Sequence, residues 1–322
     1  MLKDDLILVT GSAGFIGYSV SKKLLEQGHK VIGIDCFSPY YDVTLKNARN
    51  NILLKYPDYS FKKMDLCNLN EVKELFSSNN IRYVCHLAAQ AGVRYSISHP
   101  YEYQKFNLEG FTHIIEEAKN SNKIKNFVYA SSSSVYGGNE KLPFSETDSV
   151  DKPLALYGAT KRANELIAYS YSHLFKLPCT GLRFFTVYGP FGRPDMALFL
   201  FTKAIIEGKP IDVYNHGNMK RSFTYIDDIV DGVIAAIKNP FQYEIFNLGN
   251  DKSETLMRYI EIIEKEVEKK SVRNLLPLQP GDVLQTYADI SHAGDKLGFA
   301  PKTNIEEGIK CFVKWYREYY KV

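Results

Sequence analysis

Two side chains that could carry proton chemistry stand four residues apart, at Tyr157 and Lys161. The spacing of the stretch 157–175 predicts a helix, and residues i and i+4 share one face of a helix, so the lysine ammonium can lie near the phenol. A positive neighbour favours the phenolate, which would make Tyr157 a base near neutral pH. An ordinary surface pair of tyrosine and lysine has the same spacing, so the pair needs further support.

Support comes from a run of four serines, residues 131–134, which precedes Val135-Tyr-Gly. The apolar residues 126–131 predict a buried strand that ends in this run, and ligands of open α/β sheets bind at the carboxyl ends of the strands. One of the four hydroxyls could hydrogen-bond a reacting oxygen and carry its proton. Which serine does so is left open by the residues alone.

A third signal is the spacing GxxGxxG formed by Gly11, Gly14 and Gly17 after the first predicted strand. Gly11 permits a tight turn, Gly14 lets backbone N–H groups approach a pyrophosphate at a helix N-terminus, and Gly17 lets helix and strand pack closely. Asp35 follows 18 residues after Gly17, at the end of the second predicted strand, where its carboxylate can bind the ribose hydroxyls of adenosine. Because that carboxylate would repel a 2′-phosphate, the pattern favours NAD over NADP. The alternative is three packing glycines and a capping aspartate.

A parallel sheet is needed to bring these motifs together. Amphipathic stretches such as 15–27, which Gly28 would close as a C-cap, predict helices between the strands. The apolar run 6–10 predicts a first strand, and further strands are predicted at 31–35, 61–64, 82–88 and 126–131. This alternation is typical of an α/β protein with a Rossmann doubly wound parallel sheet and helices on both faces.

The alternation weakens after about Arg183, where loops rich in glycine and proline appear. We therefore expect an NAD-binding Rossmann domain over residues 1–184 and a smaller C-terminal α/β substrate-binding domain over residues 185–322. The stretch near 225–248 is expected to return to the first domain. The second domain would supply the other wall of a crevice at the carboxyl ends of the strands.

The composition is typical of a globular protein, with 45% hydrophobic and 24% charged residues among 322. A net charge of +3 gives no reason to expect nucleic acid or a membrane surface as a partner. The five cysteines form no CxxC pair, so neither a disulfide framework nor a metal site is expected. No apolar stretch of about 18 residues predicts a membrane span, and no signal peptide precedes the first strand. We therefore expect a cytoplasmic protein.

Taken together, the glycine turn, the serines before Val-Tyr-Gly and the pair Tyr157-x-x-x-Lys161 resemble the extended short-chain dehydrogenase/reductase family over essentially the whole chain. Longer stretches are similar to the nucleotide-sugar epimerases of this family, and most of all to the UDP-glucuronate 4-epimerases. These stretches are residues 86–95, 184–198, 211–215, 221–228 and 279–282.

The resemblance implies roles for individual residues. Ser132 matches the family's catalytic serine or threonine, Tyr157 its base, and Lys161 the group that binds the nicotinamide ribose. The residues expected to bind NAD are Gly11, Gly14, Phe15, Ile16, Gly17, Asp35, Asp65, Leu66, Leu87, Ala88, Ala89, Gln90, Tyr157, Lys161 and Phe184. The residues expected to bind the UDP-sugar are Arg94, Ser133, Ser134, Thr186, Arg193, Ala197, Leu198, Val213, Tyr214, Arg221 and Asp282. Arg221 and Asp282 would hold the diphosphate and ribose of UDP.

Two departures from the family pattern resemble the branch that acts on uronic acids. The family usually has Asn where this chain has Thr186, and often Arg where it has Gln279. The predicted helices at 101–120 and 157–175 resemble those that form the family's dimer interface, so a homodimer is expected.

Several residues keep more than one interpretation. Asp65 would face the adenine or cap a helix. Arg94 would reach the substrate or pair with an acid, and Arg193 would hold a substrate carboxylate, contact the diphosphate or lie in a surface loop. His86 lies inside an apolar strand and is expected to be packed rather than catalytic.

The residues at 133 and 134 discriminate among the reactions of the family. Sugar 4,6-dehydratases carry an Asp-Glu pair there and UDP-glucuronate decarboxylases a Glu, whereas two serines can act as neither a strong acid nor a strong base. The resemblance therefore implies NAD-dependent 4-epimerisation of UDP-glucuronate to UDP-galacturonate through a transient 4-keto sugar, with NAD regenerated in each turnover. One alternative is a 4-epimerase of a neutral UDP-hexose or UDP-N-acetylhexosamine. Another is a silent NAD-sensing protein, against which the intact Ser132, Tyr157 and Lys161 argue.

A uronic acid adds a hazard, because the 4-ketone lies β to the C6 carboxylate and β-keto acids lose CO₂. Decarboxylation moves the charge of the carboxylate into the ring, so hydrogen bonds and a fixed positive charge at the carboxylate oppose it. Arg193, Thr186 and Ser133 are the residues expected to form this clamp.

Overall fold

Strands and helices alternate along most of the chain in the computed structural model, which describes residues 5–279 and 283–322. The strands are β1 (Leu6–Thr10), β2 (Lys30–Asp35), β3 (Tyr59–Lys63), β4 (Ile81–His86), β5 (Asn126–Ser132), β6 (Cys179–Phe184), β7 (Thr186–Tyr188), β8 (Ile211–Tyr214), β9 (Lys220–Arg221), β10 (Phe223–Tyr225), β11 (Tyr243–Leu248), β12 (Glu254–Thr255), β13 (Arg273–Leu276) and β14 (Gln285–Thr286). The helices are α1 (Phe15–Glu26), α2 (Val43–Leu53), α3 (Leu69–Ser78), α4 (Tyr95–Ser98), α5 (Pro100–Tyr103), α6 (Gly110–Asn120), α7 (Leu156–Phe175), α8 (Ala197–Ile206), α9 (Ile226–Lys238), α10 (Leu256–Val267), α11 (Ser291–Leu297) and α12 (Ile305–Tyr320).

The main sheet has seven strands in the order β11-β6-β5-β4-β1-β2-β3, and every neighbouring pair is parallel. The chain builds outward from β1 through β2 and β3 and then resumes on the other side of β1 with β4. The order therefore reverses between β1 and β4, and a crevice opens at the carboxyl ends of these two strands. The predicted Rossmann doubly wound α/β fold is confirmed.

Alternation along β1 explains why helices cover both faces of the sheet. Ile7 and Val9 point into one buried cluster, which also contains side chains of α1 and α9. Leu8 points to the opposite face and joins a second cluster with side chains of α3 and α6. Successive side chains of a strand lie on opposite faces, so a strand buried on both sides is apolar throughout.

The second half of the chain forms small sheets around the mouth of the crevice. β10 pairs with β7, β13 with β8, and β12, β9 and β14 form a three-stranded sheet. Side chains of α8, α10 and α12 continue the buried cluster that begins at β1. The chain also returns to the main sheet, where β11 pairs with β6. The division into domains at residue 184 stays a prediction.

The predicted helix over residues 101–120 is present, but its middle is not α-helical. Residues Gln104–Glu109 form a π-helical turn between α5 and α6. This wider turn places Asn107 so that its amide bonds both the N–H and the C=O of Gln90, at 2.8 and 3.0 Å, while its own C=O accepts from Asn164 on α7. A π turn inside a helix often marks a functional site, and here it fixes the loop after β4.

No helix in the part of the chain that the structure describes is long and apolar enough to cross a membrane.

Candidate active site

The crevice is a cavity of about 960 Å³ between the carboxyl ends of the main sheet and the small sheets. Its walls include the glycine turn, the loop after β4, the serines after β5 and the start of α7. The opposite wall consists of β7, the loop 189–196, and residues of α8, β8 and β9. Cavities of this size hold cofactors and small ligands in known enzymes.

The glycine turn forms a cradle that only glycine fits. Gly11 has φ +69°, and a Cβ atom there would stand 2.9 Å from the backbone of Ala88. A Cβ atom on Gly17 would stand 2.1 Å from the C=O of Gly11. Gly14 caps α1 without a side-chain hydrogen bond, and the first turn of α1 has no acidic residue. The helix N-terminus is thus open to an anion such as a pyrophosphate.

Asp35 stands at the end of β2 and lines the same cavity. Its carboxylate accepts hydrogen bonds from the N–H groups of Ala13 and Phe37, at 3.2 and 2.8 Å. Asp35 therefore fixes the glycine turn and also faces the cavity. Beside it lies the buried Lys46, whose ammonium donates to the C=O of Ser38 at 2.9 Å. The open helix N-terminus, the cradle and the acid fit the pyrophosphate and adenosine ribose of NAD.

Asp65 lines the adenine side of the predicted NAD site, but it is not the N-cap of α3. Its carboxylate accepts from the N–H of Cys67 at 2.9 Å, and the ammonium of Lys105 lies 3.9 Å away. Asn68 is the residue that precedes α3. Asp65 thus orders the turn before the helix while one side of its carboxylate borders the cavity.

His86 is a packed residue at the end of β4, between Phe111 and Phe127. Burial lowers its pKa to about 3, with a smaller contribution from Lys161, so the ring is neutral. The Thr10 hydroxyl accepts from the N–H groups of residues 87 and 88 and lies 2.9 Å from Nδ1 of His86. These bonds bend the chain after His86, which is why β4 ends there and not at residue 88 as predicted.

Ser132 and Tyr157 meet at the carboxyl end of β5. The Ser132 side chain lies close enough to the Tyr157 phenol to lower its pKa, and the Ser132 hydroxyl accepts from the N–H of Ser134 at 3.2 Å. Ser131 is turned away, because its hydroxyl donates to the buried carboxylate of Glu165 at 2.6 Å. Ser133 and Ser134 lie on the cavity wall beside Ser132. The geometry supports Ser132 as the hydroxyl that works with Tyr157.

Arg193, not Lys161, is the cation that acts on Tyr157. Burial raises the pKa of the Tyr157 phenol, and the neighbouring Ser132 side chain and the charge of Arg193 lower it in part. The Lys161 ammonium points to β5, where it donates to the C=O of Ala130 at 2.9 Å, and burial lowers its pKa to about 8. The expectation that Lys161 assists the phenolate stays a prediction, since the ammonium is bound to the C=O of Ala130. Lys161 lines the cavity, and its contact with the nicotinamide ribose stays a prediction.

The loop that carries Arg193 is fixed to the glycine turn by Arg49. This guanidinium is fully buried and donates to the C=O groups of Ala13 and Phe191, at 3.0 and 2.6 Å. The Phe191 ring packs between Tyr18 and Trp315, with ring centroids 5.1 and 4.9 Å away. The turn that would bind the cofactor and the loop on the substrate side are thus held as one unit.

The remaining predicted cofactor residues line the cavity where expected. They are Phe15, Ile16, Leu66, Leu87, Ala88, Ala89, Gln90 and Phe184. Four predicted substrate residues line the opposite wall, namely Thr186, Ala197, Tyr214 and Arg221. The Arg94 guanidinium lies 4.4 Å from the centroid of the Tyr214 ring, so the two side chains meet across the cavity.

Two predicted substrate residues are not on the wall. Leu198 and Val213 are almost fully buried and belong to the hydrophobic core. Their neighbours in sequence, Ala197 and Tyr214, line the cavity instead, since adjacent side chains of a helix or strand point in different directions. Asp282 lies outside the described residues.

Sequence reasoning missed Tyr40, Lys46 and Asp195 on the cavity wall, and Asn107 behind it. Asp195 lies inside a stretch that resembles the family, but its type and spacing gave it no role. Tyr40 and Lys46 belong to the segment after β2, whose path has no periodic pattern to predict it. No group of metal-ligating side chains occurs within residues 5–279 and 283–322.

Comparison with known proteins agrees with this geometry. Residues 7–249 match the NAD dependent epimerase/dehydratase family. The chain belongs to this family. The predicted family and the predicted cofactor, NAD, are thereby confirmed.

Individual relatives cover nearly the whole chain. Protein CapI of Staphylococcus aureus is 48% identical over 333 residues, which span 98% of this chain and 99% of that protein. UDP-glucuronate 4-epimerase 4 of Arabidopsis thaliana is 45% identical over 331 residues, 98% of this chain and 76% of that one. The UDP-glucuronic acid 4-epimerase of Bacillus cereus, solved in complex with UDP-glucuronic acid and NAD, superposes with a TM-score of 0.92 at 34% identity, covering 98% of this chain and 100% of that one.

The cradle makes a prediction about cofactor content. Gly17→Ala would drive a methyl group into the C=O of Gly11, so the turn must open and NAD retention should fall by roughly ten- to hundredfold. The measurement is the amount of NAD released when the purified protein is denatured. Gly294→Ala is the control, because a Cβ atom there meets nothing closer than 3.6 Å. Equal NAD content in both variants would contradict the assignment of the cradle.

Proposed function

We propose that this protein interconverts UDP-glucuronate and UDP-galacturonate by NAD-dependent 4-epimerisation through a transient 4-keto sugar. The observation that carries the proposal is the meeting of Ser132, Tyr157 and Arg193 in a cavity whose other end fits NAD. Two of the relatives described above are UDP-glucuronate 4-epimerases, and one of them is solved with UDP-glucuronic acid and NAD. The specific substrate rests on this similarity together with the residues of the wall.

Tyr157 would act as the base for the 4-hydroxyl of the sugar. The proton of the 4-hydroxyl passes to the Tyr157 phenolate. Ser132 donates a hydrogen bond to the 4-oxygen, which becomes the ketone oxygen. NAD, when bound, would supply the acceptor and the donor of the C4 hydride. After the sugar turns over, Tyr157 gives its proton back to the 4-oxygen, so the protein ends in its starting state.

The wall beside Ser132 favours epimerisation over elimination of water. Ser133 and Ser134 supply hydroxyls where an elimination would need an acid and a base. The Asp195 carboxylate also lines the cavity, and it is held by Arg193. Burial raises the pKa of Asp195, but Arg193 and the Tyr40 hydroxyl lower it, and the net result is a pKa below its usual value. The carboxyl therefore stays ionised and is unsuited to donate a proton.

Arg193, Thr186 and Ser133 would hold the C6 carboxylate of a uronic acid. All three line the cavity, and the Nη1 nitrogen of Arg193 has no hydrogen-bond partner among the residues that the structure describes. Donors at the carboxylate stabilise its charge and oppose loss of CO₂ from the 4-keto intermediate. Arg94 and Arg221, which line the cavity, are proposed to bind the UDP portion, together with Asp282 from the sequence.

A homodimer is proposed from α7. This helix keeps large apolar side chains exposed, at Leu166, Tyr169, Leu174 and Phe175. Such a group of apolar side chains commonly marks a protein interface. Cytoplasmic localisation stays a prediction from the sequence.

The direct test is NMR of UDP-glucuronate incubated with the purified protein and no added NAD. Formation of UDP-galacturonate is expected, because the cofactor is neither consumed nor released in a complete turnover. Tyr157→Phe should lower the rate by at least about a hundredfold while NAD content is unchanged. Turnover of neutral UDP-glucose or UDP-N-acetylglucosamine, with none of UDP-glucuronate, would refute the proposed substrate.

A second test concerns the carboxylate clamp. Arg193→Leu removes the N–H donors of the guanidinium, so a larger fraction of the UDP-glucuronate consumed should appear as UDP-pentose, or uronate turnover should stop. The ratio of UDP-pentose to UDP-galacturonate, measured by chromatography, reports the effect. A rate and product ratio equal to those of the wild type would rule out the clamp.

A further inference from the structure

Asp195 occupies one edge of the Arg193 guanidinium inside the cavity. Nε of Arg193 donates to Oδ1 of Asp195 at 3.0 Å, and Nη2 donates to Oδ2 at 2.5 Å. The two side chains are 23% and 30% exposed, so the pair is partly shielded from water. The opposite edge of the guanidinium, with Nη1, remains for a ligand.

Asp195 is itself fixed from the cofactor side of the cavity. The Tyr40 hydroxyl donates to Oδ2 of Asp195 at 3.0 Å, across 155 positions of sequence. The Tyr40 ring packs against Tyr95 with centroids 4.8 Å apart, and the guanidinium carbon of Arg193 lies 6.0 Å from the Tyr40 centroid. The ion pair in the cavity wall is thus also held by a residue of the segment after β2.

The pair changes what Arg193 can offer to an anion. A lone guanidinium in a partly dry cavity would attract a carboxylate by its full charge, and that attraction grows as water is excluded. With Asp195 attached, the pair has no net charge, while N–H groups of the free edge can still donate. A carboxylate there is recognised through directed hydrogen bonds and only weakly through charge.

The absence of net charge on the Arg193–Asp195 pair matters if the ligand must move during the reaction. Inversion at C4 requires the 4-keto sugar to present its other face, so a C6 carboxylate must leave its first position during every turnover. We propose that Asp195 is a specificity-determining residue that offsets the charge of Arg193, so that the uronate carboxylate is recognised without being immobilised. The inference rests on the proposed function, because it requires a uronic acid substrate. Asp195 acts through Arg193 and is a positioning residue.

The test uses the NAD-loaded enzyme in a Tyr157→Phe background, which permits binding to be measured without turnover. Addition of Asp195→Asn should lower the Kd for UDP-glucuronate by roughly tenfold at low ionic strength, and the gain should shrink as salt is added. The Kd for UDP-glucose, which lacks the carboxylate, should stay within about twofold. Both values can be measured by isothermal titration calorimetry.

Controls separate charge from structure. Asp195→Ala should act like Asp195→Asn, since both remove the charge, whereas Asp195→Glu keeps it and should leave the preference for UDP-glucuronate near that of Tyr157→Phe. Glu74→Gln, which removes one negative charge from the exposed pair with Lys62, should change neither Kd. With Tyr157 intact, Asp195→Asn should show a lower KM for UDP-glucuronate together with a lower kcat, because the sugar turns over more slowly.

The outcomes are distinct. An unchanged or higher Kd for UDP-glucuronate in both charge-removing variants, or an equal change for both sugars, would overturn the role of Asp195 and leave the proposed function standing. If Tyr157→Phe by itself binds UDP-glucose and not UDP-glucuronate, the proposed function fails, and the inference fails with it.

Discussion

The buried ion pair between Glu165 and Arg183 holds together the elements that carry the proposed chemistry. Glu165 lies two turns after Tyr157 on α7, and its fully buried carboxylate accepts from Nε and Nη2 of Arg183 on β6 at 2.8 and 3.0 Å. The same carboxylate accepts from Ser131, the residue before Ser132 on β5. Loss of the Glu165 carboxylate would leave Arg183 without its ion-pair partner in the core, which is strongly destabilising, whereas loss of Arg183 would leave Glu165 paired with Arg162 alone. The relative positions of Ser132, Tyr157 and the strand that leads to Arg193 all depend on this pair.

The cavity combines that rigid wall with loops that are tied to one another across long separations in sequence. Arg49 links the glycine turn to the loop before Arg193, and Tyr40 links the segment after β2 to Asp195. Asn107 and Thr10 fix the loop after β4 on its two sides. A reaction that requires a bound cofactor, a proton acceptor and a movable sugar needs such fixed walls, because misplacement of about 1 Å is costly in rate.

Much of this arrangement follows from local pattern. The glycine spacing, the acid after the second strand and the serines at a strand end predict the fold and one end of the cavity, because each depends on residues close in sequence. The direction of the Lys161 ammonium, the burial of Leu198 and Val213, and the π turn at 104–109 are set by packing between distant elements, which no short pattern records. Asp195 and Tyr40 escaped notice for the same reason, since their hydrogen bond exists only in the folded chain.

The central claim is that the hydrogen removed from C4 is returned to the other face of the same carbon within one turnover. UDP-glucuronate carrying deuterium at C4, incubated with the purified protein in ordinary water without added NAD, tests it most directly. Mass spectrometry and NMR of the product should find UDP-galacturonate with the deuterium retained at C4. UDP-galacturonate in which solvent hydrogen has replaced the deuterium would contradict the account.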